Sequence, residues 1–292
     1  MKFETGQSVP RTEDPRLLKG NGWYTDDVVL PNQAFASVLR SPHAHAAIED
    51  INISAAVTMP GVLAVLTGED YVADGLGEIT GNSPRIQRDG STMYRPPRPA
   101  LTFDRVRYVG QPLAMVVAET IQQAKDAVEA INVKFSDLPV VLSTEEANVP
   151  GSASLWKDAN HNECFVYEVG DREAVEKEIS RATHVIRQKF VINRITANTM
   201  EPRGAIGHYD PGQDHYTIYV GHQRPYVFRT HLTRYLFKIR ENQLLSSSFH
   251  NPNTRITQIC VYNTACTTLL VQHCVTILRY NTMCIEYECD RI

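Results

Sequence analysis

A chain of 292 residues with a formal net charge of −4 and 42% hydrophobic residues can bury one large core or two of average size. The charge makes no electrostatic case for nucleic acid or an anionic membrane surface, so no nucleic-acid partner is expected. No stretch approaches the roughly 18 apolar residues of a spanning helix, and the N-terminus MKFETGQSVPRTEDPRLLKG has no apolar h-region, so the expected location is cytoplasmic.

The first elements flank a Ser41-Pro42 turn, where AFASVLR and AAIEDINI read as short strands. GVLAVLTG at 61–68 is a compact apolar run between glycines, which predicts a buried strand. Residues 74–100 repeat Gly, Pro and Arg over a span longer than the ~12–15 residues usual for a connection, which points to a rim or a partner contact. The stretch 110–135 carries the clearest local signal. LAMVVA is a buried strand, Thr120 and Gln123 form a capping box, and Ile121, Ala124, Val128 and Ile131 mark one helical face before NVKF returns as a strand.

Residues 136–164, with NVPGSAS inside, have the composition of a linker. Asp171 is placed to cap a helix with Val175, Ile179 and Ala182 on one side. Strands are expected at THVIRQKFVINR, GAIGHYD and YTIYVG, the last two joined by an Asp210-Pro211-Gly212 turn. PYVFRTHLTRYLF, opened by Pro225 and carrying Phe228, Leu232 and Leu236, predicts an amphipathic helix.

Past Ile239 the composition changes: there is no glycine, no lysine and a single alanine, and five of the six cysteines fall after residue 259. Those cysteines form no Cys-x-x-Cys pair, so a zinc site is poorly supported. His43 and His45, two residues apart, can share one face of a strand and chelate a metal, but no second pair of His or Cys lies near to complete a site; an edge-strand pair is the plainer reading. GLGEITG has a suggestive glycine spacing but no capped helix behind it, and neither a Walker A motif nor a Gly-x-Ser-x-Gly elbow occurs. Glu201 and Arg203 sit near a turn, where such a pair is usually a surface contact. Gln223 lies between a strand and a helix, a position from which a side chain often meets a ligand, though a loop amide satisfying backbone groups is the commoner outcome. The residues by themselves name no catalytic group and no metal ligand.

Seven phrases taken together, EDPRLLKGNGWYTDD, RSPHAHAAI, MPGVLAVLTGED, RDGSTMYRPPRPAL, DRVRYVGQPLAMVVAET, MEPRGAIGHYDP and GHQRPYVFR, resemble the large subunit of the molybdenum hydroxylases, the xanthine dehydrogenase, aldehyde oxidase and carbon monoxide dehydrogenase family. The resemblance implies an α+β fold: an N-terminal arm over 1–19, an α/β hammerhead domain over 20–135, a linker over 136–164, and an incomplete molybdopterin-binding domain over 165–239. It implies a molybdenum–molybdopterin cofactor and a complex with an FAD-binding subunit and a [2Fe–2S] subunit. The reaction implied is oxidation of an aldehyde, a purine-like heterocycle or carbon monoxide, with water as the oxygen source. Gln223 matches the glutamine whose amide approaches the apical molybdenum oxygen. The family's Gly-Gly-Gly-Phe-Gly loop and its glutamate base have no counterpart in ENQLLSSSFHNPNTRITQ and beyond. Residues 240–292 are therefore expected to be an unrelated, out-of-frame tail, poorly ordered, on a fragment inactive alone. The alternative is a non-catalytic module that binds partner subunits.

Overall fold

In the computed structural model, residues 6, 8, 11–78, 84–159, 162–192, 204–221, 224–247 and 283–285 are described. The chain divides into two units, one of residues 1–79, 98–138 and 199–292 and the other of residues 80–97 and 139–198. No helix among the described residues is long and apolar enough to cross a membrane.

The first unit opens with the short helix α1 (Asp14–Leu17) and then strands β1 (Ala34–Arg40) and β2 (Ala46–Asn52). Helix α2 (Ser54–Val57), strand β3 (Val62–Thr67) and helix α3 (Gly68–Ala73) follow. After β4 (Arg105–Val106) come β5 (Pro112–Ala118), helix α4 (Ile121–Glu129) and β6 (Asn132–Asp137). The later strands are β7 (Ala205–Asp210), β8 (His215–Val220), β9 (Leu244–Ser247) and β10 (Met283–Ile285). A seven-stranded sheet has the order β3-β5-β1-β10-β7-β8-β9, and a three-stranded sheet has the order β4-β2-β6.

Strand β5 is buried along its whole length, as its unbroken apolar run predicts for a strand covered on both faces. Met115 and Val117 join one apolar cluster with Ala36, Ile218, Leu232 and Leu236, whereas Ala114 and Val116 face Ala56, Ala127 and Ile131. Helix α4 starts where Thr120 Oγ1 accepts from the Gln123 amide at 3.2 Å and is held by Ala124 and Ala127, both fully buried. Small side chains there allow close approach of the helix to the sheet. The strand after α4 does not return to the sheet of β5: β6 pairs antiparallel with β2 in the smaller sheet. Local periodicity identifies such elements but does not say which sheet receives them.

The segment 241–247 departs from the expected tail. Residues 241–243 form a turn of 3₁₀ helix and Leu244–Ser247 pair in parallel with β8, with Leu244 buried in the main core. Side-chain contacts explain the order, since Arg234 Nε meets Glu241 at 2.8 Å and Gln243 Nε2 donates to Asp214 at 2.7 Å. Residues 283–285 also form a strand, set between β1 and β7. The other residues of the expected tail lie outside the described set.

The second unit contains what composition suggested was a loop and a linker. Residues 85–93 form a hairpin, with a bridge between Ile86 and Thr92, and it docks on the following segment through Arg88 N to Val166 O at 3.1 Å and Tyr94 N to Cys164 O at 2.8 Å. Residues 139–162 include helix α5 (Thr144–Ala147) and are drawn together by one side chain. Asn162 accepts from Leu155 N and donates to the carbonyls of Ala147 and Ala153. An amide satisfying three backbone groups organises a Gly- and Ser-containing segment without an apolar core. Helix α6 (Arg172–Arg181) is capped by Asp171, whose carboxylate accepts from Ala174 N at 2.9 Å. The strand expected over 183–194 is absent from residues 183–192, where the backbone forms no ladder.

Candidate functional site

The strand-to-helix switch that carries Gln223 is framed by well-anchored elements. Strands β7 and β8 form a hairpin in the register Ala205↔Val220 to Asp210↔His215, closed where Asp210 Oδ1 accepts from Gly212 N at 2.8 Å. Val220 is buried at the end of β8 and the chain then emerges at Gly221. Gln223, like His222 and the pair Glu201 and Arg203, lies outside the described residues.

Arg224, the next residue, has φ 54° and ψ 59°. A residue with a Cβ loses roughly 1–2 kcal/mol in this left-handed region, and the following Pro225 further favours extended backbone at this position. Strain of this kind collects where a fold must hold an unusual direction. Helix α7 (Pro225–Thr230) begins at once and passes into a π-helix over His231–Phe237. The expected single helix is thus two geometries, with Phe228, Leu232 and Leu236 all buried along it. Thr233 offers the cause: its hydroxyl donates to the carbonyls of Arg229 at 2.9 Å and Thr230 at 3.4 Å. A side chain that takes helix carbonyls in this way loosens the regular ladder.

A second segment supports this helix from outside. Gly77 N donates to the carbonyl of Leu236 at 2.9 Å, and Lys238 Nζ reaches the carbonyl of Gly75, also at 2.9 Å. The phenol of Tyr71 donates to the Gly77 carbonyl, and burial raises its pKa well above the ordinary tyrosine value. Glu78 beside it is likewise raised by burial, against a hydrogen bond from the Arg98 backbone. Gly77 of GLGEITG therefore serves a packing contact with the π-helix, which no local motif in the sequence announced. His231, on the π-helix, is held below its ordinary pKa by desolvation.

The histidine pair takes another form than a metal site. His43 and His45 lie in the connection between β1 and β2, not on a strand. His43 Nδ1 is 2.8 Å from Asp137 and its ring lies 4.4 Å from that of Phe135, while His45 is buried. No group of three or more His, Cys, Asp or Glu among the described residues could hold a metal ion. Cys164 is a free thiol, and the later cysteines' side chains are outside the described set. Nearby, Arg107 is nearly buried and pairs with Asp104 at 2.7 Å. Burial pushes the Asp104 carboxyl up, but the hydrogen bond and charge of Arg107 outweigh it and hold the group below its ordinary value. This pair orders the turn before β5.

The exposed Gly221, Arg224 and Tyr226 leave the described part of the β8–α7 turn open to water. They enclose nothing of a pterin's size, so the described residues do not by themselves fit a molybdopterin site. A shallow depression of about 290 Å³ lies elsewhere, beside Glu168, Asp171, Arg172 and Glu176. Its carboxylates disfavour an anionic ligand, and Glu168 is already paired with Arg88 and Arg172.

Comparison with known proteins gives this geometry its setting. Residues 19–139 match the aldehyde oxidase and xanthine dehydrogenase a/b hammerhead domain, and residues 155–248 match the molybdopterin cofactor-binding domain. The second match runs past residue 239 to include β9, so the family's domain reaches further than the expected start of the tail. The carbon monoxide dehydrogenase large chain of Hydrogenophaga pseudoflava is 31% identical over 230 residues, covering 75% of this chain and 27% of that one. The nicotine 6-hydroxylase large subunit of Paenarthrobacter nicotinovorans is 35% identical over 239 residues, covering 79% and 27%. Among solved structures, the reconstituted CO dehydrogenase from Oligotropha carboxidovorans superposes with a TM-score of 0.80 at 26% identity, covering 97% of this chain and 35% of that one. The chain spans about a quarter of the length of these curated relatives. With both domain models matched in order and the fold in agreement, the chain belongs to the large-subunit family of the molybdenum hydroxylases, whose cofactor is molybdenum–molybdopterin.

Proposed function

We propose that the chain is the N-terminal portion of a molybdenum hydroxylase large subunit, an oxidoreductase acting on an aldehyde, a purine-like heterocycle or carbon monoxide with water as oxygen source. The observation that carries this reading is the ordered pair of domain matches over 19–139 and 155–248. Residues 20–135 act as the hammerhead domain, and residues from about 165 begin the cofactor domain. The complete complex includes FAD-binding and [2Fe–2S] subunits that remove electrons, and its setting is the cytoplasm.

Within that assembly the cofactor supplies the redox chemistry, and this chain's part is to position one neutral donor. Gln223 would be the residue of this chain that helps hold the cofactor, its side-chain amide offering a hydrogen-bond donor that adds no charge. The left-handed Arg224 sets the direction in which the chain enters α7. A single hydrogen bond contributes about 1 kcal/mol net, too little to retain the cofactor, so the chain alone does not turn over.

The test joins residues 1–247 to the remaining part of the Hydrogenophaga pseudoflava large chain and supplies the maturation machinery. Molybdenum at about one per chain, reduced by Gln223→Ala, is the expected result; the isolated 292-residue chain should hold none. Stoichiometric molybdenum in the isolated chain, or none in the joined one, overturns the reading.

A further inference from the structure

The seven-stranded sheet holds two groups of strands joined by one short element. Strands β1, β3 and β5 lie within residues 19–139, and β7, β8 and β9 within residues 155–248, the two regions matched by family domains. Between β1 and β7 runs β10, from beyond both matched regions, parallel to β1 and antiparallel to β7. Among the described residues it is the only strand hydrogen-bonded to both groups. With neighbouring strands about 4.7–4.9 Å apart, β1 and β7 stand roughly 9–10 Å from each other there, a gap one strand wide. Its walls are buried, Ala36, Ala205 and Ile206 fully and Ala34 nearly so. Backbone N–H and C=O groups that face such a gap need partners, and leaving them unpaired is costly. The walls also have two distinct faces: Ala34, Ala36 and Ala205 belong to the main apolar cluster, whereas Phe35 and Ile206 pack with Val28 in a smaller one. A gap with unlike faces fixes the register of the strand that fills it, because a slip of one residue would exchange them.

We propose that the gap between β1 and β7 is a strand-acceptor site and that Met283–Ile285 of this same chain is its donor strand, a clasp that ties the two groups into one sheet. The register argues for this occupant. Met283 is paired with Ala34 and Gly207, and Ile285 with Ala36 and Ala205, so each large residue falls between two small ones. Cys284, the small member, is paired with Phe35 and Ile206, both large. Large positions set against small ones across facing strands are what lets a layer fill without voids or overlap. Residues 283–285 are thereby a working part of the fold, although they lie in the stretch whose composition departs from the rest of the chain. The clasp stands apart from the cofactor and the reaction, since it depends on β1, β7 and β10 alone.

Two measurements on the full chain test this. Cys284→Pro removes a backbone N–H from the middle of β10, where proline is not tolerated between two strands. Amide hydrogen exchange at residues 34–36 and 205–207 should quicken at least tenfold, while residues 114–116, paired with β1 and β3 away from the gap, keep the parent rate. Cys284→Ala keeps the backbone donor and should exchange like the parent. Unchanged exchange in Cys284→Pro overturns the proposal. The second measurement uses Ile206→Cys, which sets a new thiol opposite Cys284. Antiparallel partners have Cα atoms about 4.5–5.5 Å apart, inside the range a disulfide spans. Oxidation with diamide should link positions 206 and 284 within a monomer, as mapped by mass spectrometry. His208→Cys, two positions along β7 and about 7–8 Å away on the diagonal, should link to Cys284 at least tenfold less. Absence of the 206–284 link, or equal linking from position 208, overturns the register and the clasp with it. A covalent dimer assigns the donor strand to a second copy and does the same. Should Cys284→Pro quicken residues 114–116 as much as the rest, by unfolding the whole unit, the disulfide result decides.

Discussion

Gly77→Ala isolates the contact between the 75–78 turn and the π-helix. The backbone φ of Gly77 is not in the left-handed region, so an alanine carries no conformational penalty there. Its Cβ would, however, overlap the carbonyl oxygen of Tyr235 and lie 2.9 Å from the carbonyl carbon. Both atoms are backbone, so either the turn or the helix must move by on the order of an ångström, given the ~3.5–4 Å of an ordinary carbon contact. Such a shift breaks the Gly77 N to Leu236 O bond and the bond from the Tyr71 phenol. Each leaves a buried polar group short of a partner, at roughly 1–3 kcal/mol. Displacing Leu236, which is fully buried, adds about 1 kcal/mol or more in lost packing. The total is about 4 kcal/mol, a large fraction of the ~5–15 kcal/mol typical of a domain. At about 2–4 °C per kcal/mol for a unit of this size, thermal unfolding followed by near-ultraviolet circular dichroism should fall by roughly 8–16 °C. Gly75→Ala is the control: its φ is +66° with nothing within 4 Å of the added carbon, so only the left-handed cost of about 1–2 kcal/mol applies. A Gly77→Ala protein as stable as the parent, or less affected than Gly75→Ala, would refute the contact.

Arg224→Gly should stabilise the chain by about 0.5–1 kcal/mol, since relief of a left-handed residue ahead of proline exceeds the backbone entropy of glycine; a lower midpoint in urea would contradict the strain. Asn162→Ala removes three hydrogen bonds to backbone and should open residues 148–161 to protease, cleavage there rising at least tenfold while residues 112–118 stay protected. Acidification should weaken the first unit through His231, whose pKa burial lowers from 6.5. The unfolded chain then binds more protons, so stability is lost as pH falls below about 6.5 toward the folded value. His231→Gln should flatten that part of a stability–pH curve, and an unchanged slope would exclude the residue.

Much of the fold is written locally. The run LAMVVA, the Thr120 cap and the small residues of α4 specify a buried strand and a helix because burial and capping act within a few residues. Which sheet receives β6 depends on pairing with β2, eighty or more positions earlier in the chain, and no periodicity carries that. The hydrogen bonds of Asn162 and the approach of Gly77 to Tyr235 were hidden for the same reason: each joins residues whose types are ordinary and whose nearness is tertiary. The strand composition of 183–192 was legible, yet a ladder needs two strands. Of the candidate site, the strand and helix flanking Gln223 could be read from turn chemistry and Pro225. The left-handed Arg224 could not, because arginine rarely adopts that conformation.

The hairpin at 85–93 has a consequence in time. Its docking segment follows about eighty residues later, the separation of the Arg88–Glu168 pair. At roughly 5–20 residues per second on a ribosome, the hairpin waits on the order of 4–16 seconds before its partner emerges. During that interval it must stay soluble by itself. The polar tip Gln87-Arg88-Asp89-Gly90-Ser91, closed by Asp89 accepting from the Ser91 amide and hydroxyl, is suited to that wait. Substituting apolar residues at Arg88 or Asp89 would therefore act first on yield during synthesis, through aggregation of a nascent chain, even where the finished protein tolerated the change.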